Sequence, residues 1–68
     1  MATQLLAHCE AARRRGDDFP TIWHSILRGH PLVRGLPTHQ IQDGEAVIVV
    51  RLMNGQSLHS SLRGFWLA

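Results

Sequence analysis

The chain has 68 residues, one cysteine and a formal charge of +2, with seven arginines and neither lysine nor tyrosine. A chain this short makes one domain at most. It buries only about 60% of its unfolded surface and commonly needs a disulfide, a metal or oligomerisation to be stable. Cys9 alone excludes an internal disulfide, +2 falls short of a dedicated nucleic-acid binder, and no apolar run approaches the ~18 residues that cross a membrane.

In chain order, residues from about 3 to 15 read as a helix. Leu5, Leu6, Cys9 and Ala12 fall on one stripe at helical spacing. Thr3 is placed to cap its start, and Gly16 to end it. Glu10 and Arg14 form an i,i+4 pair in the favourable order. Arg13, Arg14 and Arg15 crowd the last turn, where the helix dipole favours cations; they are equally a candidate phosphate contact.

A second helix is expected over about 19–28, capped by Asp17 or Asp18, with Pro20 in its first turn. Phe19, Ile22, Trp23, Ile26 and Leu27 recur at i, i+3, i+4, i+7 and i+8, the strongest amphipathic signal in the chain. Gly29 and His30-Pro31 end it. Residues 30–37 then form a connection, too apolar at Leu32, Val33 and Leu36 for a free linker and so read as an ordered loop. Arg34 stands at its tip.

Three strands follow, over about 38–42, 45–52 and 56–62. The central one, Glu45-Ala46-Val47-Ile48-Val49-Val50-Arg51-Leu52, is rich in β-branched residues and lies between Asp43-Gly44 and Asn54-Gly55. A two-residue Asp43-Gly44 turn sets Ile41 beside Ala46 and His39 beside Ile48. At the second turn a two-residue loop would put Leu58 on the wrong face. A three-residue loop over Met53-Asn54-Gly55 instead pairs Val50 with Leu58 and Ala46 with Leu62. Ala46, Ile48, Val50 and Leu52 then face the second helix, while Val47 and Val49 lie on the outer face. The chain ends in an apolar tail, 63–68, carrying Phe65, Trp66 and Leu67.

These elements predict a two-layer α+β domain over 1–68, ordered α-α-β-β-β, with a three-stranded antiparallel meander and both helices packed on one face.

Little in the sequence carries chemistry. His8, His24, His30, His39 and His59 show no zinc-binding spacing, and His39 and His59 fall on opposite faces of the sheet, so no metal or other cofactor is expected. Cys9 sits on an apolar stripe without a base beside it. Asp17, Asp18, Asp43 and Glu45 have capping and turn positions. No enzyme activity is expected.

Two functional classes remain. The first is a non-enzymatic protein-interaction or regulatory module that self-associates as a homodimer, joined through Val47 and Val49 of the outer face and Phe65, Trp66 and Leu67 of the tail. An unidentified protein partner fits the same surface. The alternative is nucleic-acid binding through Arg13, Arg14, Arg15, Arg28 and Arg34; the outer face offers no Phe or Tyr for base stacking. The lone thiol fits a reducing cytoplasm, no secretory signal is expected, and the all-arginine usage points to a GC-rich bacterium or its phage.

Overall fold

A computed structural model describes residues 1–68. Two helical segments precede a four-stranded antiparallel sheet of order β1-β2-β3-β4, with β1 at Val33–Gln42, β2 at Glu45–Leu52, β3 at Ser57–Ser61 and β4 at Gly64–Leu67. The expected three-stranded meander is therefore corrected. The segment read as a tail, 63–68, is the fourth strand and its final residue: it pairs with β3 through Ser61–Gly64, Ser60–Phe65, His59–Trp66 and Leu58–Leu67. Ala68 and Ser57 exchange both backbone bonds at 2.8 and 2.9 Å. Leu62 and Arg63 make the turn between β3 and β4, which leaves Leu62 solvated rather than paired with Ala46 in the ladder.

Helix α1 spans Ala2–Arg14, so it starts before Thr3 and takes no side-chain cap. Its end closes in a Schellman motif. The Gly16 N–H donates to the Arg13 carbonyl at 3.0 Å, and the Asp17 N–H to the Ala12 carbonyl at 3.1 Å. Helix α2, Phe19–Ile22, is capped by Asp18, whose Oδ1 accepts from the Thr21 N–H at 3.0 Å. That bond holds the Asp18 carboxyl below its ordinary pKa, because it favours the charged form.

The second helix does not continue as an α-helix to residue 28. From Trp23 to Leu27 it widens into a π-helical turn, in which the Arg28 N–H reaches the Trp23 carbonyl at 2.7 Å. Packing accounts for the widening. Ile22 and Leu27 are both fully buried, yet five residues apart on a regular α-helix they would diverge by about 140°. The wider turn brings both onto the core.

The strands keep the register that the turns dictate. Ile41 pairs with Ala46, His39 with Ile48, and Val50 with Leu58. Asp43 and Gly44 both have positive φ, as a type I′ turn requires, and Gly55 takes the left-handed position of the three-residue loop. Strand β1 is longer than expected. Val33 and Arg34 already pair with Leu52 and Arg51, and a bulge at Gly35-Leu36-Pro37 separates them from Thr38. The supposed loop is thus half strand.

The core lies between the helices and one face of the sheet. Leu5, Cys9 and Ala12 of α1 meet Ile22, Leu27, Val50, Leu52, Leu58 and Phe65. Helix α1 packs over β4. The helical layer covers only this half of the face: Ile48 is half-buried and Ala46 is exposed. Of the row from Ala46 to Leu52, expected to lie wholly beneath the second helix, only Val50 and Leu52 are buried in the core.

Candidate functional site

The sheet has two unlike surfaces, and each carries a feature of interest. On the outer face the register aligns side chains in rows across the strands. One row runs Thr38, Val49, His59, Trp66; the next runs Arg34, Arg51, Ser57. Val47 and Val49 are 2% and 6% exposed, so the centre of this face is already covered within one chain. Trp66 stacks on His59 with ring centroids 5.3 Å apart and planes inclined by 22°. Arg34 and Arg51 are direct cross-strand partners and line one depression of about 330 Å³ with Gln40, Val49, Ser57 and His59.

The residues expected to join two subunits are therefore divided by the sheet. Val47, Val49 and Trp66 are on the outer face, whereas Phe65 is buried on the helix-side face and Leu67 packs half-buried beside it. Of the five, Trp66 alone combines a large ring with outward exposure. The fourth strand sorts them, because alternate residues of a strand point to opposite faces.

The five arginines proposed for phosphate do not form one patch. Arg13 turns inward: Nη1 donates to the Ser61 carbonyl at 2.7 Å, Nη2 to the Ser60 hydroxyl at 2.9 Å, and the guanidinium lies 4.7 Å from the Phe65 ring centroid. Arg15 pairs with Asp17 at 3.7 Å, and Arg28 lies 3.4 Å from His24 Nδ1. Arg34 stands on the outer face of the sheet, away from α1, and Arg14 projects into solvent.

No known family model, curated protein or solved structure matches this chain.

The helix-side face carries the second feature. Where the helices stop, a groove of about 520 Å³ runs between the start of α2 and the sheet; Phe19, Ala46, Ile48 and Leu62 form its apolar lining, and Arg13, Asp17 and Asp18 bring charge to its helix side. Leu62 is 98% exposed and Ile41, beside Ala46, is 73% exposed. Ile41, Ala46 and Leu62 are thus exposed at one corner, beside the half-buried Phe19 and Ile48. The sequence reading missed it because it placed the second helix over Ala46 and Ile48 and paired Leu62 with Ala46.

The corner borders a free sheet edge. In a two-residue hairpin the closing pair, Gln42–Glu45, exchanges both backbone bonds, and the pairs then alternate along the ladder. His39 and Ile41 accordingly turn their backbone N–H and C=O groups away from β2. Proline, bulges and charged side chains are the usual guards of an edge. Here Pro37 and the bulge precede Thr38, and Thr38 to Gln42 contains no Asp, Glu, Lys or Arg.

The titratable groups form no metal centre: no three of His, Cys, Asp and Glu gather at a ligating distance. Cys9 is fully buried, and burial pushes its thiol up to about 11. His30 serves the chain itself, its Nδ1 accepting from the Leu32 N–H at 3.1 Å. No helix is long and apolar enough to cross a membrane.

Proposed function

We propose that this chain is a small interaction module that self-associates, and that its contact is the helix-side corner and the β1 edge. The observation that carries this reading is the exposure of Ile41 and Leu62 together beside the open Ala46–Ile48 groove. Exposed apolar surface at an uncharged stretch of edge is an association signal in a chain too small to be generously stable alone. This moves the expected dimer contact from the outer face, whose valines are self-covered, to the opposite face.

The edge favours a second copy in one register. Only His39 and Ile41 turn their backbone groups outward between the bulge and the turn. An antiparallel pairing with its two-fold axis at Gln40 sets His39 against Ile41 of a second copy, and Ile41 against its His39. All four backbone bonds then form. Centring on His39 instead would oppose Ile41 to Pro37, which has no N–H; centring on Ile41 would oppose His39 to Asp43, inside the turn. The Gln40-centred pairing is self-complementary and closes as a dimer, and it brings the two apolar corners side by side. Such a module would act by joining subunits into one eight-stranded sheet; no chemistry is required of it.

Light scattering across the micromolar range tests this. A dimer gives twice the chain mass and a melting temperature that rises with concentration. Ile41→Lys places a charge at the centre of the contact and should return the monomer with its fold intact. A parent that stays monomeric at the highest concentration, or an Ile41→Lys variant of undiminished mass, overturns the reading.

A further inference from the structure

We infer that the outer face of the sheet is a binding site for single-stranded nucleic acid, in which Arg34 and Arg51 take a phosphodiester and the His59–Trp66 stack takes a base. It lies on the opposite face from the self-association corner and stands independently of it.

The basic half of the site is the cross-strand pair. Arg34 and Arg51 are direct partners on adjacent strands and line the same depression. Like charges set directly opposite repel, so the fold gains nothing from placing them there. Neither has a carboxylate to neutralise it. The two ion pairs of the chain, Arg15–Asp17 and Arg63–Glu45, involve other arginines, and the lining of the depression contains no acidic residue. Two guanidiniums offer ten N–H donors converging on one opening, which suits the oxygens of a phosphodiester.

The aromatic half lies one row away. His59 and Trp66 stand two residues along the strands from Ser57 and Ala68, the neighbours of Arg51 in its own row. Two residues of a strand span about 7 Å, a separation that a nucleotide bridges from phosphate to base. Trp66 is half-buried and stacked on the His59 imidazole; His59 lines the arginine depression and Trp66 the adjoining one beside Val47, so the aromatic pair stands between the two before any ligand arrives. Gln40 and Thr38 flank the rows with amide and hydroxyl groups able to meet base edges.

The combination selects single strands. Bases inside a duplex are stacked on one another and cannot reach a platform on a sheet, whereas an unpaired base can. An acidic peptide would satisfy the arginines but would leave the aromatic pair unused. Glu45 is the one carboxylate among the outward-facing strand residues; with Asp43 of the turn it lines the depression that Trp66 borders, away from Arg34 and Arg51, and Arg63 pairs with it at 3.2 Å.

Fluorescence anisotropy of a short labelled oligothymidylate, titrated with the full chain at low and rising salt, tests the proposal. The parent binds, and its affinity falls with salt. In Arg34→Ser/Arg51→Ser the log–log salt slope flattens by about 1.4, at about 0.7 for each phosphate no longer neutralised. Both residues are exposed, so this variant folds, and relief of their repulsion keeps its melting temperature at or above the parent's. Trp66→Ala weakens binding by about 5- to 150-fold, the loss of one stacked base, and Trp66→Phe restores most of it. Absence of binding at low salt overturns the proposal. So does an unchanged slope in the double arginine variant. Equal displacement by polyglutamate or by duplex DNA of the same length overturns it as well, because either result marks a general polyanion surface.

Discussion

The guanidinium of Arg13 lies over the ring of Phe65, 4.7 Å from its centroid, and joins the first helix to the last strand. Its two bonds to Ser61 and Ser60 fasten the same helix to the β3 end of the final hairpin. One side chain near the end of α1 thus closes the fold between the two ends of the chain, and it is a structural residue rather than a surface cation.

Arg13→Ala should therefore destabilise the chain by about 2–4 kcal/mol, through two charge-assisted bonds and the missing stem packing. Arg13→Lys should rescue little, because an ammonium cannot span both acceptors while lying flat on the ring. Arg14→Ala, one position on and exposed, should change stability by less than about 0.5 kcal/mol. Urea denaturation of the three variants measures this ranking, and equal midpoints for Arg13→Ala and Arg14→Ala would remove the fastening role.

The π-helical turn decides which residues of the second helix matter most. Leu27 is fully buried and Ile26 only partly. Leu27→Ala should cost about 2–5 kcal/mol, and Ile26→Ala clearly less. Denaturant midpoints of the two variants check it; the reverse order would mean that the segment presents a different face to the sheet.

Much of this architecture can be read from the residues, and the parts that cannot share a cause. Asp43-Gly44 and the three-residue Met53-Asn54-Gly55 loop fix two registers, since a slip by one residue would turn Leu58 out of the core. The third hairpin has no such mark. Its turn residues are Leu62 and Arg63, and an apolar Leu62 reads as strand, so Phe65, Trp66 and Leu67 look like a loose tail. With that strand missing, the outer face lacks its aromatic residue, and the helix-side face looks covered. Arg34 looks like a loop tip because Gly35 and Pro37 hide a bulge in what is otherwise strand. Arg13 satisfies the helix-dipole rule so well that its inward role leaves no trace in the sequence.

Cys9 should be silent to thiol reagents in the folded chain. Its thiol is fully buried and pushed up to about 11, chiefly by desolvation, so the thiolate is scarce at neutral pH. The raised pKa also sets a pH dependence. The folded chain holds the Cys9 proton more tightly than the unfolded chain, whose thiol titrates near its ordinary value of 9.0. This contribution to stability is fully present below pH 9 and is lost as pH rises towards 11. Cys9→Ala should flatten that part of the stability curve. Alkylation followed by mass spectrometry, with and without urea, tests the shielding; rapid labelling of the native chain would contradict it.

Two copies joined through β1 with their axis at Gln40 would set each Gln40 against its own counterpart. That is a non-hydrogen-bonded position, where Cα atoms lie about 4.5 Å apart, within reach of a disulfide. Gln40→Cys under mild oxidation, with the parent as control for the buried Cys9, measures this most directly. The β1 pairing predicts rapid and nearly complete covalent dimer, of the same mass and melting profile as the non-covalent one. A Gln40→Cys chain that stays reduced while the protein is dimeric would contradict the β1 pairing, and one that stays both reduced and monomeric would contradict self-association itself.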